Sequence, residues 1–185
     1  MAYLENEQIK LRALEPEDLD ILYKWENDTE LWMYGATIVP YSRFAIKEYI
    51  TESQLDIFQS KQLRLMIVWK DNNKPVGTID LYDFDPMNLR AGVGILIDAA
   101  FRRKGIGQQA LDLLKDYAFD FLFLQQLFAH VPKQNETSLK LFSKSGYTNT
   151  ACLKEWIKTS NGFEDVYVMQ LLKSIHKRPS GKICP

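Results

Sequence analysis

Residues 93–107 read VGILIDAAFRRKGIG, and the helical pattern QQALDLLKDYAFDFLF follows directly. This stretch decides the fold, because an apolar strand ending at Asp98 leads through a short basic turn into a helix. Such a turn directs the free N–H groups and the partial positive charge of the helix N-terminus at one point. Gly105 and Gly107 let the backbone approach a ligand closely, and the cations at 102–104 attract phosphate. The sequence therefore predicts a diphosphate-binding site at this turn.

The spacing of the glycines separates this turn from the two common nucleotide-binding loops. Neither G-x-G-x-x-G after a strand nor G-x-x-x-x-G-K-[ST] is present, whereas R-x-x-G-x-G occupies 102–107. That pattern resembles the pyrophosphate-binding signature of the GNAT superfamily, the acetyl-CoA-dependent N-acetyltransferases. Downstream, NETSLKLFSKSGY at 135–147 resembles the superfamily's helix N-x-x-[SA]-x-x-[LI]-[YF]-x-K-x-G-[FY]. Two motifs in the expected order are far more specific than either motif alone.

Further segments resemble one branch of this superfamily, which contains the spermidine and ribosomal-protein alanine acetyltransferases. They are KLRALEPEDLD at 10–20, ILIDAAFRRKGIG at 95–107 and LKEWIKTSNGFEDVYVM at 153–169. Asp165 stands where the branch has an aspartate after a hairpin turn, a position that favours a structural role over a catalytic one. The resemblance covers nearly all of residues 8–172 and implies that acetyl-CoA is the cosubstrate.

The pattern of apolar residues and turn signals predicts the order of helices and strands. Strands are predicted at 8–13, 63–70, 75–84, 90–98, 127–131, 147–157 and 163–172, and helices at 15–27, 42–59, from 107 onward and at 136–145. This order mixes antiparallel hairpins with one parallel crossover, so we expect an α/β fold with a single mixed, mostly antiparallel sheet flanked by helices. The resemblance implies the same GNAT-like fold. We expect one domain over 1–172 and a disordered tail over 173–185.

Length, composition and charge exclude several other classes of protein. At 185 residues, with 46% hydrophobic and 25% charged residues, the chain matches an average soluble globular domain. Its formal charge of −1 gives no general attraction to nucleic acid or anionic membranes, so the basic turn is a local feature. Two cysteines form no disulfide framework, and no signal peptide or apolar run of membrane-spanning length is recognisable. We therefore expect a cytoplasmic protein with no metal site and no nucleic-acid or membrane partner.

The resemblance implies roles for the residues around the basic turn. In the superfamily, the strand before the turn and the next strand splay apart, which leaves backbone groups unpaired for the pantetheine arm of the cosubstrate. Ile95, Leu96 and Ile97 would contact that arm and the acetyl carbonyl through their backbones, partly as an oxyanion hole. The pyrophosphate would be held by Arg102, Arg103, Lys104, Gly105, Ile106, Gly107 and Gln108. The other side of the arm would be lined by Asn135, Ser138 and Phe142.

Two departures from the superfamily leave the proton path unassigned. The usual general acid, a tyrosine, is replaced by Phe142, whose ring has no proton for the leaving thiolate. The glutamate often found before the turn corresponds to Gly92 or Gly94. The candidate substitutes are Asp80, Tyr82, His130 and Glu155. Strand alternation puts residues 80 and 82 on one face, but an exposed hairpin charge explains Asp80 equally well. A lone histidine in an apolar strand, such as residue 130, is more often a core residue.

The acceptor amine is expected to bind against residues 26–60, where superfamily members place substrate-covering helices. This region contains acidic and aromatic side chains, namely Glu26, Asp28, Glu30, Glu48, Glu52, Asp56, Trp32, Tyr34 and Phe58. Such a mixture favours a cationic amine through Coulomb and cation–π attraction, although acidic helix surfaces are common.

These expectations describe an N-acetyltransferase in which acetyl-CoA and a primary amine bind together and the amine attacks the thioester directly. Cys152 has no recognisable base partner, so nothing favours a covalent acyl-enzyme. The acceptor could be a polyamine, a peptide N-terminus or a small metabolite, and the protein could be a homo-oligomer. One alternative is an acyl-CoA-binding sensor that has lost turnover. A nucleic-acid-binding domain that uses the basic turn is less favoured, because the chain is nearly neutral.

Overall fold

A computed structural model describes residues 3–32, 39–159 and 162–176. Its centre is a seven-stranded sheet with the strand order β1-β2-β3-β4-β5-β7-β6. The strands are β1 (Ile9–Arg12), β2 (Leu63–Trp69), β3 (Lys74–Asp85), β4 (Arg90–Ile97), β5 (Gln126–Pro132), β6 (Thr148–Thr159) and β7 (Gly162–Leu172). Only the β4–β5 pair is parallel, while all other neighbours run antiparallel. The predicted mixed, mostly antiparallel sheet is confirmed.

Helices cover both faces of this sheet. They are α1 (Leu19–Glu26), α2 (Thr29–Trp32), α3 (Arg43–Glu52), α4 (Ile57–Ser60), α5 (Ile106–Asp116), α6 (Glu136–Lys144) and α7 (Lys173–His176). Short 3-10 turns span Pro16–Asp18 and Ala99–Phe101, and a π-helical turn at Tyr117–Phe121 follows α5. In the described parts of the chain, every helix is too short or too polar to span a membrane.

Two differences from the predicted elements have local causes. The single helix predicted at 42–59 is two helices, because Asp56 begins a new one by accepting hydrogen bonds from the backbone N–H groups of Phe58 and Gln59. Between the predicted helices at 15–27 and 42–59, where no helix or strand is predicted, Thr29–Trp32 form the helical turn α2, and residues 33–38 lie outside the described residues.

The last described residues of the chain follow β7 directly. Lys173–His176 form α7, where the Lys173 backbone N–H donates to the Gln125 carbonyl (3.0 Å) and extends the pairing of β7 with the start of β5. Residues 177–185 lie outside the described residues.

The core lies on both faces of the sheet. The larger part packs the sheet against α5, whose buried residues Ile106, Ala110, Leu111 and Leu114 recur at the spacing of one helix face. The smaller part packs β2 against α1 and α3 through Leu22, Trp25, Ile46, Ile50 and Met66. A cleft at the end of β4 is lined by residues from helices on both faces.

Candidate active site

Strands β4 and β5 separate after a short paired region, as the resemblance implies. Their register pairs Arg90 with Gln126, Ala91 with Leu127 and Gly92 with Phe128. Beyond these positions β4 remains paired with β3 and β5 remains paired with β7. The facing edges therefore diverge and leave backbone groups directed at the gap, where an extended ligand can pair with them.

The side chains of the diverging part of β4 anchor it on both faces of the sheet. Ile95 and Ile97 pack into the core against α5, whereas Leu96 packs into the core against α1 and α3. The Ile97 carbonyl accepts a hydrogen bond from Nε of Arg102 at 3.1 Å. This alternation fixes the strand while its free backbone edge faces the gap.

The basic turn after β4 has a backbone conformation that opens the N-terminus of α5 to the cleft. Asp98 begins the turn by accepting a hydrogen bond from the backbone N–H of Ala100 (2.9 Å). Arg103 (φ +62°) and Gly105 (φ +76°) are both left-handed, and Gly105 precedes the first residue of α5. Two left-handed residues curl the chain tightly, so the first N–H groups of the helix are directed into the cleft, as an anion site requires.

The cations of this turn have different positions. Arg102 and Arg103 line the cleft, whereas Lys104 is not among its lining residues and places its Nζ 4.8 Å from the centre of the Phe101 ring. The positive charge that lines the cleft near the turn therefore comes from these two arginines and from Lys140 and Lys144 of α6.

The cleft has a volume of about 1010 Å³ and extends from the basic turn, between β4 and α6, to the helices α1, α2 and α3. It is lined by eleven of the thirteen predicted cofactor residues, namely Ile95, Leu96, Ile97, Arg102, Arg103, Gly105, Ile106, Gly107, Gln108, Asn135 and Ser138. The other two predicted residues, Lys104 and Phe142, do not line the cleft. Phe142 is only 3% exposed, and its ring packs edge-on against Tyr147 with centroids 5.0 Å apart.

Helix α6 forms the wall opposite β4 and is held close to α5. Oδ1 of Asn135 accepts a hydrogen bond from the Ser138 backbone N–H (3.1 Å) and so caps the helix. A Cβ at Gly107 would lie 3.2 Å from Leu141, so the absence of a side chain lets the two helices approach. Nε2 of Gln108 donates to Oγ of Ser145 at 2.8 Å. These contacts hold α5 and α6 together at the end of the cleft next to the basic turn. This end, which is predicted to bind the cosubstrate, is called the cofactor end.

Of the proton-transfer candidates, Asp80 alone lines the cleft. It faces Gly94 across the β3–β4 register, and Tyr82 faces Gly92, so residues 80 and 82 share a face as predicted. A Cβ at Gly92 would lie 2.3 Å from the Tyr82 ring, which therefore occupies the space of the missing side chain. The interpretation of Asp80 as an exposed hairpin charge is wrong, since its side chain is 12% exposed and faces the cleft.

Tyr82 and His130 form a pair beside the cleft. The Tyr82 hydroxyl lies 3.3 Å from Nδ1 of His130, and both rings meet Phe128 edge-on. Burial raises the pKa of Tyr82 to about 12, although a hydrogen bond with the backbone of His130 opposes that rise. The alternative of a core histidine is wrong, because His130 is exposed.

Glu155 lies far from the cleft in a bulge of β6. Its backbone is left-handed (φ +50°), and its N–H donates to Asp165 at 3.1 Å. Nζ of Lys154 also donates to Asp165, at 2.9 Å, and this hydrogen bond lowers the pKa of Asp165. Asp165 thus stabilises the bulge, which agrees with the structural role that the sequence favoured.

The other end of the cleft, beside α1, α2 and α3, is predicted to receive the acceptor and is called the acceptor end. It contains an ionic cluster that was not predicted from the sequence. Arg64 donates from Nε and Nη2 to the two oxygens of Asp80 (2.5 and 3.3 Å), and from Nη1 to Glu26 (2.6 Å). The Tyr49 ring lies 5.1 Å from the guanidinium. Burial would lower the pKa of Arg64, but attraction to Asp80 and Glu26 raises it overall. The only signal in the sequence was a lone cation within the apolar strand LRLMIVW.

Aromatic side chains surround this cluster. Of the residues predicted for the acceptor region, Glu26 and Trp32 line the cleft, whereas Asp28, Glu30, Glu48, Glu52, Asp56 and Phe58 do not. Tyr34 lies outside the described residues. The cleft is also lined by Trp25, Tyr41 and Tyr49. Trp25 connects the two ends of the site, since its Nε1 donates to Asp98 at the start of the basic turn (2.9 Å).

This combination of a split parallel strand pair, a left-handed basic turn and a helix N-terminus is the geometry that the two motifs implied. The sequence model of the acetyltransferase (GNAT) domain matches residues 8–148, and the chain belongs to this family. It is an acetyl-CoA-dependent N-acetyltransferase that transfers the acetyl group to an amine.

Proteins similar to this chain cover from three quarters to nearly all of its length. An uncharacterised N-acetyltransferase, p20 of Bacillus licheniformis, is 28% identical over 94% of this chain and 97% of its own length. The spermidine N(1)-acetyltransferase of Escherichia coli K12 is 28% identical over 76% of this chain and 73% of its own. The crystal structure of spermidine N-acetyltransferase from Vibrio cholerae with CoA and spermine superimposes with a TM-score of 0.84. It is 24% identical and covers 94% of this chain and 100% of that one. The predicted GNAT-like fold is confirmed.

Proposed function

We propose that this enzyme acetylates a polyamine, and that the cluster of Glu26, Arg64 and Asp80 receives the ammonium groups of the acceptor. The observation that carries the proposal is the charge of this cluster, which combines two carboxylates with one guanidinium at the cleft surface. Its net charge is −1, and the surrounding aromatic rings attract cations through their faces.

The cluster also disfavours acceptors that carry a carboxylate. All three nitrogens of Arg64 already donate to Asp80 and Glu26, so its positive charge is paired within the cluster and does not attract a carboxylate on the acceptor. An amino acid would bring a further negative charge beside two carboxylates, whereas a polyamine brings positive charge only. The related enzymes of E. coli and V. cholerae are named for spermidine, which supports the same class of acceptor here.

For the cosubstrate, we propose that the N-terminus of α5 and the arginines of the basic turn bind the pyrophosphate. The gap between β4 and β5 would receive the pantetheine arm, with the free edge of 95–97 pairing to it. A backbone N–H of this edge would stabilise the oxyanion formed when the amine adds to the thioester carbonyl. Lys104 would contribute through its backbone and its charge near the rim, and Phe142 by packing behind the cleft wall.

The chemical step then needs few groups. Asp80 accepts a proton from the acceptor ammonium, directly or through water, and the neutral nitrogen forms the new bond to the acetyl carbon. The carbon–sulfur bond breaks, and CoA leaves as a thiolate. The second proton that the nitrogen loses on becoming an amide passes through water to this thiolate, so the products are the neutral amide and the CoA thiol. Holding both substrates in one cleft supplies much of the rate in the absence of the family's tyrosine.

We also propose that the chain forms a homo-oligomer in the cytoplasm. A structure of the V. cholerae spermidine N-acetyltransferase is described as dodecameric, and it superimposes on 95% of this chain with a TM-score of 0.81. Light scattering after size-exclusion chromatography measures the assembly, and a monomer at micromolar concentration would refute this part.

A thiol-release assay with a matched panel of amines tests the acceptor. We expect kcat/KM to be highest for spermidine or spermine, lower for a monoamine of equal length, and lowest for lysine and a peptide N-terminus. A peptide or an amino acid as the best acceptor would refute the polyamine proposal. Tight acetyl-CoA binding without thiol release from any amine would instead favour the sensor alternative.

A further inference from the structure

We propose that Arg64 is a positioning residue that keeps Glu26 and Asp80 ionised side by side, and thereby sets the lowest pH at which the acceptor binds. This inference rests on the proposed function only for its kinetic test, since the ionisation of the two carboxylates can be measured without any substrate.

The geometry of the cluster places one cation between two acids from distant parts of the chain. Glu26 ends α1, Arg64 lies in β2 and Asp80 lies opposite it in β3. The guanidinium donates to both oxygens of Asp80 along one edge and to Glu26 from its other terminal nitrogen. All three side chains are largely enclosed, with exposures of 19% for Arg64, 22% for Glu26 and 12% for Asp80.

Without the guanidinium, two carboxylates in this largely enclosed site would repel each other. Such repulsion favours protonation of one of the two groups. Arg64 removes this conflict because it is positive throughout the physiological range. Its presence leaves both acids free to meet an incoming ammonium group through the oxygen lone pairs that Arg64 does not use.

The other groups that face the cluster are neutral near pH 7. Burial raises the pKa of Tyr49, which stacks on Arg64 from α3, to about 12, although Arg64 itself opposes that rise. Tyr82, two residues beyond Asp80 on β3, has a pKa raised to about 12 in the same way. The two acids and one arginine therefore determine the charge of this wall.

A second enclosed ion pair, away from the cleft, differs from this cluster in its charge balance. Arg12 binds Asp18 through both terminal nitrogens (2.6 and 2.8 Å), and Asp18 also accepts the Glu15 backbone N–H (2.9 Å). That pair has one carboxylate and one guanidinium, so it is balanced in charge. It stabilises the 3-10 turn before α1, and neither residue lines the cleft. The pair with a surplus acid is the one at the cleft.

The first experiment compares Arg64→Met with Arg43→Met. Arg43 lies in α3 on the same side of the sheet, pairs with exposed Asp20 and does not line the cleft, so it controls for the loss of one charge. In Arg64→Met, we expect the acidic limb of the pH profile of kcat/KM for a polyamine to move upward by about one pH unit or more. We expect no movement in Arg43→Met, and an unchanged KM for acetyl-CoA in both variants.

A double variant separates charge from packing. In Glu26→Gln combined with Arg64→Met, one carboxylate remains without an acidic neighbour, so the acidic limb should return towards its original pH. If the limb stays displaced, or if Arg64→Met loses activity equally at every pH, Arg64 acts by packing and the inference is wrong. Should Arg64→Met fail to fold by circular dichroism, Arg64→Lys keeps the charge and should retain the wild-type limb, whereas Arg64→Gln should displace it.

The substrate-independent measurement is a carboxyl ¹³C NMR titration of the free enzyme, with Glu26 and Asp80 assigned from Glu26→Gln and Asp80→Asn. We expect the two signals to titrate at higher pH in Arg64→Met than in wild type. Unchanged titration overturns the inference even if polyamines are good substrates. Displaced titration together with no polyamine turnover supports the inference and refutes the proposed acceptor.

Discussion

The two ends of the cleft are built by different means. At the cofactor end, the free edge of β4, a left-handed turn and the N-terminus of α5 present backbone groups, and all of them come from residues 93–107. At the acceptor end, side chains from α1, β2 and β3 meet although they are far apart in the chain. The first end is encoded by one short stretch of sequence, whereas the second depends on the register of the sheet and on how α1 packs.

The largest effect should come from breaking the cofactor end. Arg103→Glu combined with Gly105→Asp puts two negative charges where the phosphates are expected and strains a left-handed position (φ +76°). We expect acetyl-CoA affinity to fall by about 100-fold or more, the loss of roughly two charge-assisted hydrogen bonds. Isothermal titration calorimetry measures this, and circular dichroism checks the fold.

Lys104→Glu is the matched control for Arg103→Glu alone, because each replaces one cation of the same turn by a glutamate and Lys104 lies outside the cleft lining. We expect it to weaken acetyl-CoA binding by less than about tenfold, since an exposed charge is screened by solvent and salt. Equal losses in the two variants would mean that the overall positive field, and not contact with the arginine, binds the cosubstrate.

The next effect should come from the acceptor end. Asp80→Asn keeps the shape of the side chain and removes its charge, so we expect kcat/KM for the amine to fall by about 100-fold near neutral pH. Acetyl-CoA affinity should not change. Asp83→Asn, on the exposed part of the same strand, controls for charge, and similar rates for both variants would remove Asp80 from the proton path.

Two glycines between the ends should differ in their effect on stability. A Cβ at Gly92 would lie 2.3 Å from the Tyr82 ring, whereas a Cβ at Gly94 would lie 3.4 Å from Asp80, an ordinary contact. Gly92→Ala should therefore lower the free energy of unfolding by about 1–3 kcal/mol. Gly94→Ala should cost less, and chemical denaturation compares them. Equal values would show that Tyr82 moves aside without penalty.

The smallest effect should follow from restoring the family's tyrosine. Phe142→Tyr adds a hydroxyl to a side chain that is 3% exposed, so we expect a loss of about 1 kcal/mol in the free energy of unfolding. Turnover should not increase, because residue 142 does not line the cleft. A rise in kcat of more than tenfold would show that this position reaches the sulfur during the reaction.

The same contrast explains what could be predicted from the sequence. The strand, the basic turn and α5 were predicted with nearly the observed bounds, because glycines and hydrophobic periodicity act over a few residues. Arg64 was missed, because its partners are fixed by the β2–β3 register, which pairs it with Asp80, and by the position of α1. The sequence also did not predict that Arg103 lines the cleft while Lys104 does not. This difference depends on the left-handed backbone at Arg103, which changes the direction of the chain between the two side chains.

The divergence of β4 and β5 also has a consequence for how long the protein survives. An empty gap holds an internal strand edge that only water satisfies, and such edges recruit other strands. A cosubstrate seated there binds the native state alone, and at a hundredfold excess over its dissociation constant it adds about 2.7 kcal/mol of stability by mass action. With acetyl-CoA bound in this gap as proposed, a shortage of it would remove both the reactant and a ligand that stabilises the native state.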